Sequence, residues 1–194
     1  MAIELYGNWA KGFALDKHMV ESTFLGEDEF DNPLFLNQRS MIGEWLFQLK
    51  YRHQIQYVER LVDSVLNGVN GLNHIDAIIP APFSKIRLEQ PVHLIARELS
   101  HRLNIPYYPI LKKLPSPMAI KNIANRSERL ETLRNSIVLD PSFDIKLLEN
   151  RKVLIFDDIF DSGATLEMAT EKLLALNMVQ GVFVLTLTTT RTRS

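Results

Sequence analysis

The chain has 194 residues, 46% of them apolar and 23% charged, with a formal net charge of −1. This is the balance of an ordinary globular domain long enough to bury a core, and it gives no global attraction to nucleic acid or to an anionic membrane. There is no cysteine, which excludes disulfides, zinc–thiolate centres and thiol catalysis. The opening Met-Ala-Ile-Glu-Leu-Tyr-Gly lacks the basic start and apolar stretch of a secretory signal, and no apolar run reaches the length of a membrane span. A soluble, cytoplasmic protein is therefore expected, without internal repeats or low-complexity tracts.

In chain order, Ile3–Tyr6, the Gly7-Asn8 turn and Gly12–Leu15 predict a hairpin. Glu27, Asp28, Glu29 and Asp31 read as a solvated loop. From Arg39 to Leu66 apolar residues recur at helical spacing (Ile42, Trp45, Leu46, Leu49, then Ile55, Val58, Leu61, Val62, Val65), which predicts two helices with a break near Arg52-His53. Gly68-Val69-Asn70-Gly71 is a linker. The chain then alternates: a strand over Ile75–Ile79 ending at Pro80-Ala81-Pro82, a helix with Pro91 in its first turn and Val92, Ile95, Ala96, Leu99 and Leu103 on its core face, and a strand near Tyr107–Leu111. Further strands are predicted at 137–139, 153–156 and 182–188, with a helix at 163–176. Strands separated by helices predict an α/β fold with a mostly parallel sheet covered on both faces. The division expected is residues 1–72 as a small N-terminal α+β unit and 73–194 as the core.

The stretch Val153-Leu154-Ile155-Phe156-Asp157-Asp158-Ile159-Phe160-Asp161-Ser162-Gly163-Ala164-Thr165 carries the chemistry. Four apolar residues suit a strand buried on both faces. Unpaired buried carboxylates are expensive, so Asp157 and Asp158 are expected at its carboxyl end, where open α/β sheets bind ligands. The loop Asp161–Thr165 has a permissive glycine and two hydroxyls and leads into a helix, which makes a phosphate cradle. Carboxylates for a sugar's hydroxyls followed by a nest for its phosphate suggest a ribose 5-phosphate site. A response-regulator receiver also has a strand ending in an acidic pair, but needs about 100 further residues to complete its sheet. Only 36 residues follow Asp158 here.

This segment resembles the phosphoribosyl-pyrophosphate (PRPP) motif of type I phosphoribosyltransferases. The resemblance implies a flexible lid between the pyrophosphate loop and the PRPP loop, and a hood over the acceptor base formed by residues 1–72. A finer similarity is to ComF-like phosphoribosyltransferases: Gly43-Glu44-Trp45 through Gln48-Leu49-Lys50-Tyr51-Arg52 is similar to their helix ending in Leu-Lys-Tyr, Ile79-Pro80-Ala81-Pro82 to their Pro-x-Pro turn, and Glu128-Arg129-Leu130 to Leu133 to their Arg-x-x-Asn segment, with Thr132 in place of Asn. The N-terminal zinc ribbon and the Arg-Gly-Phe-Asn-Gln stretch of that family are absent, the latter replaced by Arg87-Leu88-Glu89-Gln90-Pro91-Val92.

The resemblance implies transfer of ribose 5-phosphate to an acceptor, purine-like in some relatives, with release of pyrophosphate. Asp157 and Asp158 would hold the ribose, partly through a Mg²⁺ ion bound by PRPP and water, and Ser162, Gly163, Ala164 and Thr165 the 5′-phosphate. Asp161 would serve as general base or as helix cap. Ser84, Lys85 and Arg87 would take the pyrophosphate. Lys121, Arg126 and Arg129 sit in a basic, proline-containing stretch suited to a lid that orders on an anion. Adjacency of the two aspartates disfavours a structural ion pair for either. Lys50 and Tyr51 end a helix, where a cation satisfies terminal carbonyls. His18, His53, His74, His93 and His101 show no metal spacing. The alternatives are a PRPP- or nucleotide-sensing regulator without catalysis and a ComF-like DNA-uptake accessory protein; a homodimer is kept among the expectations, a membrane or nucleic-acid partner is not.

Overall fold

The computed structural model describes residues 2–27, 29–30, 32–83, 90–114 and 136–191, with residues 22 and 34–37 described by backbone alone. The apolar runs become neighbouring parallel strands. β5 (Ala77–Pro80), β8 (Lys152–Phe160) and β9 (Gly181–Thr189) align with Ile79 opposite Ile155 and Ile155 opposite Val184. β2 (Lys11–Lys17) pairs parallel with the far side of β9, and β1 (Ile3–Leu5) closes that edge antiparallel. The order is β1-β2-β9-β8-β5.

Helices cover both faces. Ser40 opens α1 (Met41–Arg52), its Oγ accepting the Gly43 N–H at 3.1 Å, and left-handed His53 ends it before α2 (Tyr57–Gly68). Pro91 starts α3 (Pro91–Leu103), and left-handed Asn104 stops it. These three helices pack Leu46, Leu61, Val65, Ile95 and Leu99 onto Ile78, Leu154, Phe156 and Leu185. α4 (Ala164–Leu174) packs Leu166, Ala169 and Leu173 on the other face, against Ile79, Ile155 and Val184. Each fully buried Ile, Leu or Phe here contributes roughly 1.5–3 kcal/mol. The protein is thus of the expected class, an α/β fold with a mostly parallel sheet between two helical layers. Among the described residues, no helix is long and apolar enough to cross a membrane.

The predicted N-terminal hairpin forms and extends the main sheet; two strand expectations are corrected. A second ribbon was not foreseen: β3 (Met19–Glu27) pairs antiparallel with β4 (Pro33–Arg39) and is irregular at two points. It leaves Val20, Phe24 and Leu25 largely exposed, so it shows no clean alternation to read. The strand expected at Tyr107–Leu111 is only an isolated bridge from Tyr107 to Ile78. Pro106 and Pro109 lack the N–H groups a ladder needs, and pairing resumes in β6 (Leu111–Lys113), which joins β7 (Ile137–Leu139) in a separate antiparallel ribbon. Finally, β8 does not stop at Phe156; it runs through both aspartates to Phe160.

Candidate functional site

The acidic pair lies inside β8, at its carboxyl half, where the ladder to β9 becomes irregular. Asp157 pairs with Thr186 and Ile159 with Thr188, but the position between them is skipped. Before the skip, Ile155 faces α4 and Phe156 faces α1–α3; after it, Ile159 and Phe160 have exchanged faces. Asp157 Oδ1 accepts the Asp158 N–H at 2.8 Å, and Thr188 Oγ1 donates to the Asp158 carbonyl at 3.4 Å.

Asp158 is ion-paired, contrary to the expectation from adjacency. Lys50 Nζ stands 2.7 Å from its Oδ2, with both side chains only 13–14% exposed. The physical reason is the adjacency itself. Two half-buried carboxylates repel unless a cation is near or one takes a proton. Lys50 supplies the cation, so it reaches the site rather than the carbonyls ending α1. Asp157 has no such direct partner among the described residues, and burial, then the charge of Asp158, push its carboxyl well above the usual carboxylate range.

The loop after β8 is braced from the chain's C-terminal side. Gly163 adopts φ +81°, and a Cβ there would sit 2.9 Å from two atoms of the Phe160 ring, so both conformation and space favour glycine. Arg191 Nε donates to the Asp161 carbonyl at 2.8 Å and its Nη2 to the Ser162 carbonyl at 2.7 Å, with the guanidinium 5.1 Å over the Phe160 ring. The Asp161 carboxylate accepts from Thr190 Oγ1 at 2.7 Å, and the Gly163 cap of α4 has no side-chain bond. Asp161 therefore does not cap the helix. Ser162 Oγ accepts the Ala164 N–H at 3.4 Å.

A cleft of about 360 Å³ joins these parts, lined by Asp157, Asp158 and Thr165 on one side, Lys50 and Tyr51 on another, and Ala81, Pro82, Phe83 and Gln90–Val92 on a third. A second cavity of about 180 Å³ shares Lys50 and Tyr51 with it and is walled by His18, Arg39, Leu46, Phe47 and Ile159. A larger cavity, about 460 Å³, lies at the opposite, amino ends of β2, β8 and β9. Among the described residues its lining holds no carboxylate and none of the motif's polar residues, so chemistry rather than size selects the cleft.

Of the residues singled out in the sequence, Asp157, Asp158 and Thr165 line the cleft, while Asp161 and Ser162–Ala164 form the loop beside it and are not part of its lining. Ser84, Lys85, Arg87, Lys121, Arg126 and Arg129 lie outside the described residues. His18, Thr188, Thr190, Arg191 and the pairing role of Lys50 were missed. The available signal was the run of threonines ending β9, which leaves Thr186, Thr188 and Thr189 buried in an otherwise apolar strand. His18 is half-buried, held by its N–H to the Thr189 carbonyl (2.8 Å), its carbonyl to the Ser40 N–H (3.2 Å) and its Nδ1 against Thr188 Oγ1 (3.1 Å). Burial, then Arg39 and Lys50, hold its pKa below the ordinary histidine value, against an opposing pull from Asp158. Among the described residues, no three His, Asp or Glu side chains gather as a metal cage.

No family model matches the chain, and no curated protein matches it. Solved structures do. Adenine phosphoribosyltransferase from Thermoanaerobacter pseudethanolicus is 14% identical, over 88% of this chain and 95% of that one, with a TM-score of 0.46. Orotate phosphoribosyltransferase from Aeropyrum pernix is 13% identical over 86% and 75%, with a TM-score of 0.46. Purine phosphoribosyltransferase from Pyrococcus horikoshii is 20% identical over 69% and 73%, with a TM-score of 0.45. All three are phosphoribosyltransferases. Scores and identities at this level assign no role to any residue here, and the roles are argued from the site itself.

Proposed function

We propose that the protein is a phosphoribosyltransferase, binding PRPP in the cleft and transferring ribose 5-phosphate to an acceptor. The observation that carries this reading is the meeting, in one cleft, of an adjacent carboxylate pair with Thr165 in the first turn of the helix that follows the Gly163 loop. Carboxylates can hold the ribose 2′- and 3′-hydroxyls, and the N–H groups of Ser162–Thr165 the 5′-phosphate. In the reaction the acceptor's nitrogen lone pair forms a bond to the anomeric carbon. The carbon–oxygen bond to pyrophosphate breaks, and pyrophosphate leaves with the bonding pair. A transition state of oxocarbenium character asks the protein mainly to position the sugar and balance charge.

The donor set fits Mg²⁺. Two adjacent carboxylates, with no third His, Asp or Glu ligand among the described residues, suit an ion that keeps its waters and arrives with the substrate's phosphates. Asp157 and Asp158 would hold it through water, and when bound it neutralises the leaving group. Ser84, Lys85 and Arg87 are proposed for pyrophosphate, and Lys121, Arg126 and Arg129 for the lid, on the sequence alone. Asp161 is proposed as the group that accepts the acceptor's proton, once released from Thr190. The hood expected in residues 1–72 is proposed to consist of the β3–β4 ribbon and α1. The finer likeness proposed is to ComF-like proteins, whose Leu-Lys-Tyr helix end corresponds to Leu49-Lys50-Tyr51, the point at which Lys50 meets Asp158.

The self-paired Lys50–Asp158 contact also supports a second reading, a PRPP- or nucleotide-sensing protein without turnover. Calorimetry with PRPP, with and without Mg²⁺, followed by a pyrophosphate-release assay across acceptors, tests both. Tight Mg²⁺-dependent binding with release supports the enzyme, and tight binding without release the sensor. Absence of PRPP binding refutes both.

A further inference from the structure

We infer that the acceptor is a single-ring heterocycle carrying a carboxylate, held in the smaller cavity between β4, α1 and the end of β8. This rests on the phosphoribosyltransferase reading and names its substrate class.

The cavity shares Lys50 and Tyr51 with the PRPP cleft, so a ligand in it lies next to the acidic pair that would hold the ribose. Its volume, about 180 Å³, is half that of the cleft. It is also well below the roughly 300 Å³ at which pockets for larger ligands begin, which suits one ring with a substituent better than a fused two-ring base. Among the described residues, the lining contains three nitrogen-bearing side chains, His18, Arg39 and Lys50, and no carboxylate. Phe47 and Tyr51, one helical turn apart with ring centroids at 5.1 Å, add aromatic surface, and Ile159 an apolar wall.

Arg39 is the group that selects an anion. Its guanidinium is held 4.0 Å over the Phe47 ring, and Nη1 reaches Glu44 Oε2 only at the long distance of 3.4 Å. Its other N–H donors have no further partner among the described residues. A planar fork fixed on an aromatic face is the arrangement that receives a carboxylate through two parallel bonds. Glu44 is already engaged on its other oxygen by Gln48 Nε2 at 2.6 Å, so Arg39 can turn to a ligand without stranding its partner. Nearby, Gly43 lets α1 approach the ribbon: a Cβ there would stand 2.5 Å from the His18 carbonyl oxygen. His18 and Arg39 are thus brought to one wall by backbone contact rather than by chance exposure.

Matched acceptor pairs test the inference in the wild-type protein with PRPP and Mg²⁺: orotate against uracil, and nicotinate against nicotinamide, with adenine as the two-ring comparison. Pyrophosphate release should favour a carboxylate member over its neutral twin by about tenfold or more in kcat/KM, the scale of a charge-assisted bond. Arg39→Gln should raise KM for that carboxylate acceptor by about tenfold, well beyond any change for its neutral twin, while leaving KM for PRPP unchanged, and Arg39→Lys should recover part of the loss. Preference for uracil, nicotinamide or adenine would overturn the inference. So would an unchanged acceptor KM in Arg39→Gln, or PRPP binding without release from any carboxylate. Failure of PRPP to bind at all would instead remove the phosphoribosyltransferase reading, and this inference with it.

Discussion

Asp157→Asn should make the free protein more stable while destroying its ligand site. In the folded chain the Asp157 carboxyl is pushed up to about 8 from 3.8, by burial and by the neighbouring Asp158 charge. Between those values the folded state holds a proton that the unfolded chain has lost. Linkage then gives the sign: this group's contribution is most favourable below about pH 4 and declines as pH rises towards 8, at up to about 1.4 kcal/mol per pH unit. Taken to pH 7 the whole shift corresponds to about 4 kcal/mol, and relaxation and water entry around a half-buried pair bring the expectation to about 2–4 kcal/mol. Asparagine does not titrate, has nearly the same shape, and keeps an oxygen for the Asp158 N–H. Urea unfolding of both proteins at steps from about pH 5 to pH 8 reads Asp157 together with its interaction with Asp158, because distant titrating groups cancel in the difference. The variant should gain on the wild type steadily with pH and exceed it by about 2 kcal/mol or more at pH 8, while losing PRPP affinity. A variant no more stable than wild type at pH 8, or a difference independent of pH, would refute the argument.

The remaining predictions concern the loop. Gly163→Val must adopt a left-handed φ at a cost of about 1–2 kcal/mol and must push against Phe160; PRPP binding by calorimetry should vanish while far-ultraviolet circular dichroism is retained. Arg191→Ala frees the carbonyls of Asp161 and Ser162 and should weaken PRPP about tenfold, a loss that Arg191→Lys should not repair because one ammonium lacks the fork spanning both oxygens. Asp161→Asn should lower turnover about a hundredfold with PRPP affinity nearly unchanged; unchanged turnover would limit the carboxylate to its bond with Thr190.

Much of the fold and part of the site were legible because their signals are local. The apolar runs at 75–79, 153–156 and 182–188 are too short for helices and read as buried strands, and the helical spacing of Leu46, Leu61, Ile95 and Leu99 put the right faces inward. Gly163 announced its turn through the one property glycine alone has. The β3–β4 ribbon was hidden because its apolar residues are exposed and its register is irregular. The strand expected at Tyr107–Leu111 is cut short because Pro106 and Pro109 cannot donate to a ladder.

What the sequence alone determined is the order of elements and the identity of the chemical groups: a carboxylate pair, a glycine loop and a helix start, within fifteen residues of one another. What only the tertiary structure decided is which distant groups answer them. Lys50 stands on α1, over 100 positions before Asp158, and Arg191 reaches back about 30 to the loop, contacts that no local pattern encodes. The same holds for charge state. Sequence shows two adjacent aspartates, and burial with the charges around them makes their surroundings unequal. The low polarity around Asp157 and the charge of its neighbour favour its proton, because the energy of a charge depends on what surrounds it in space.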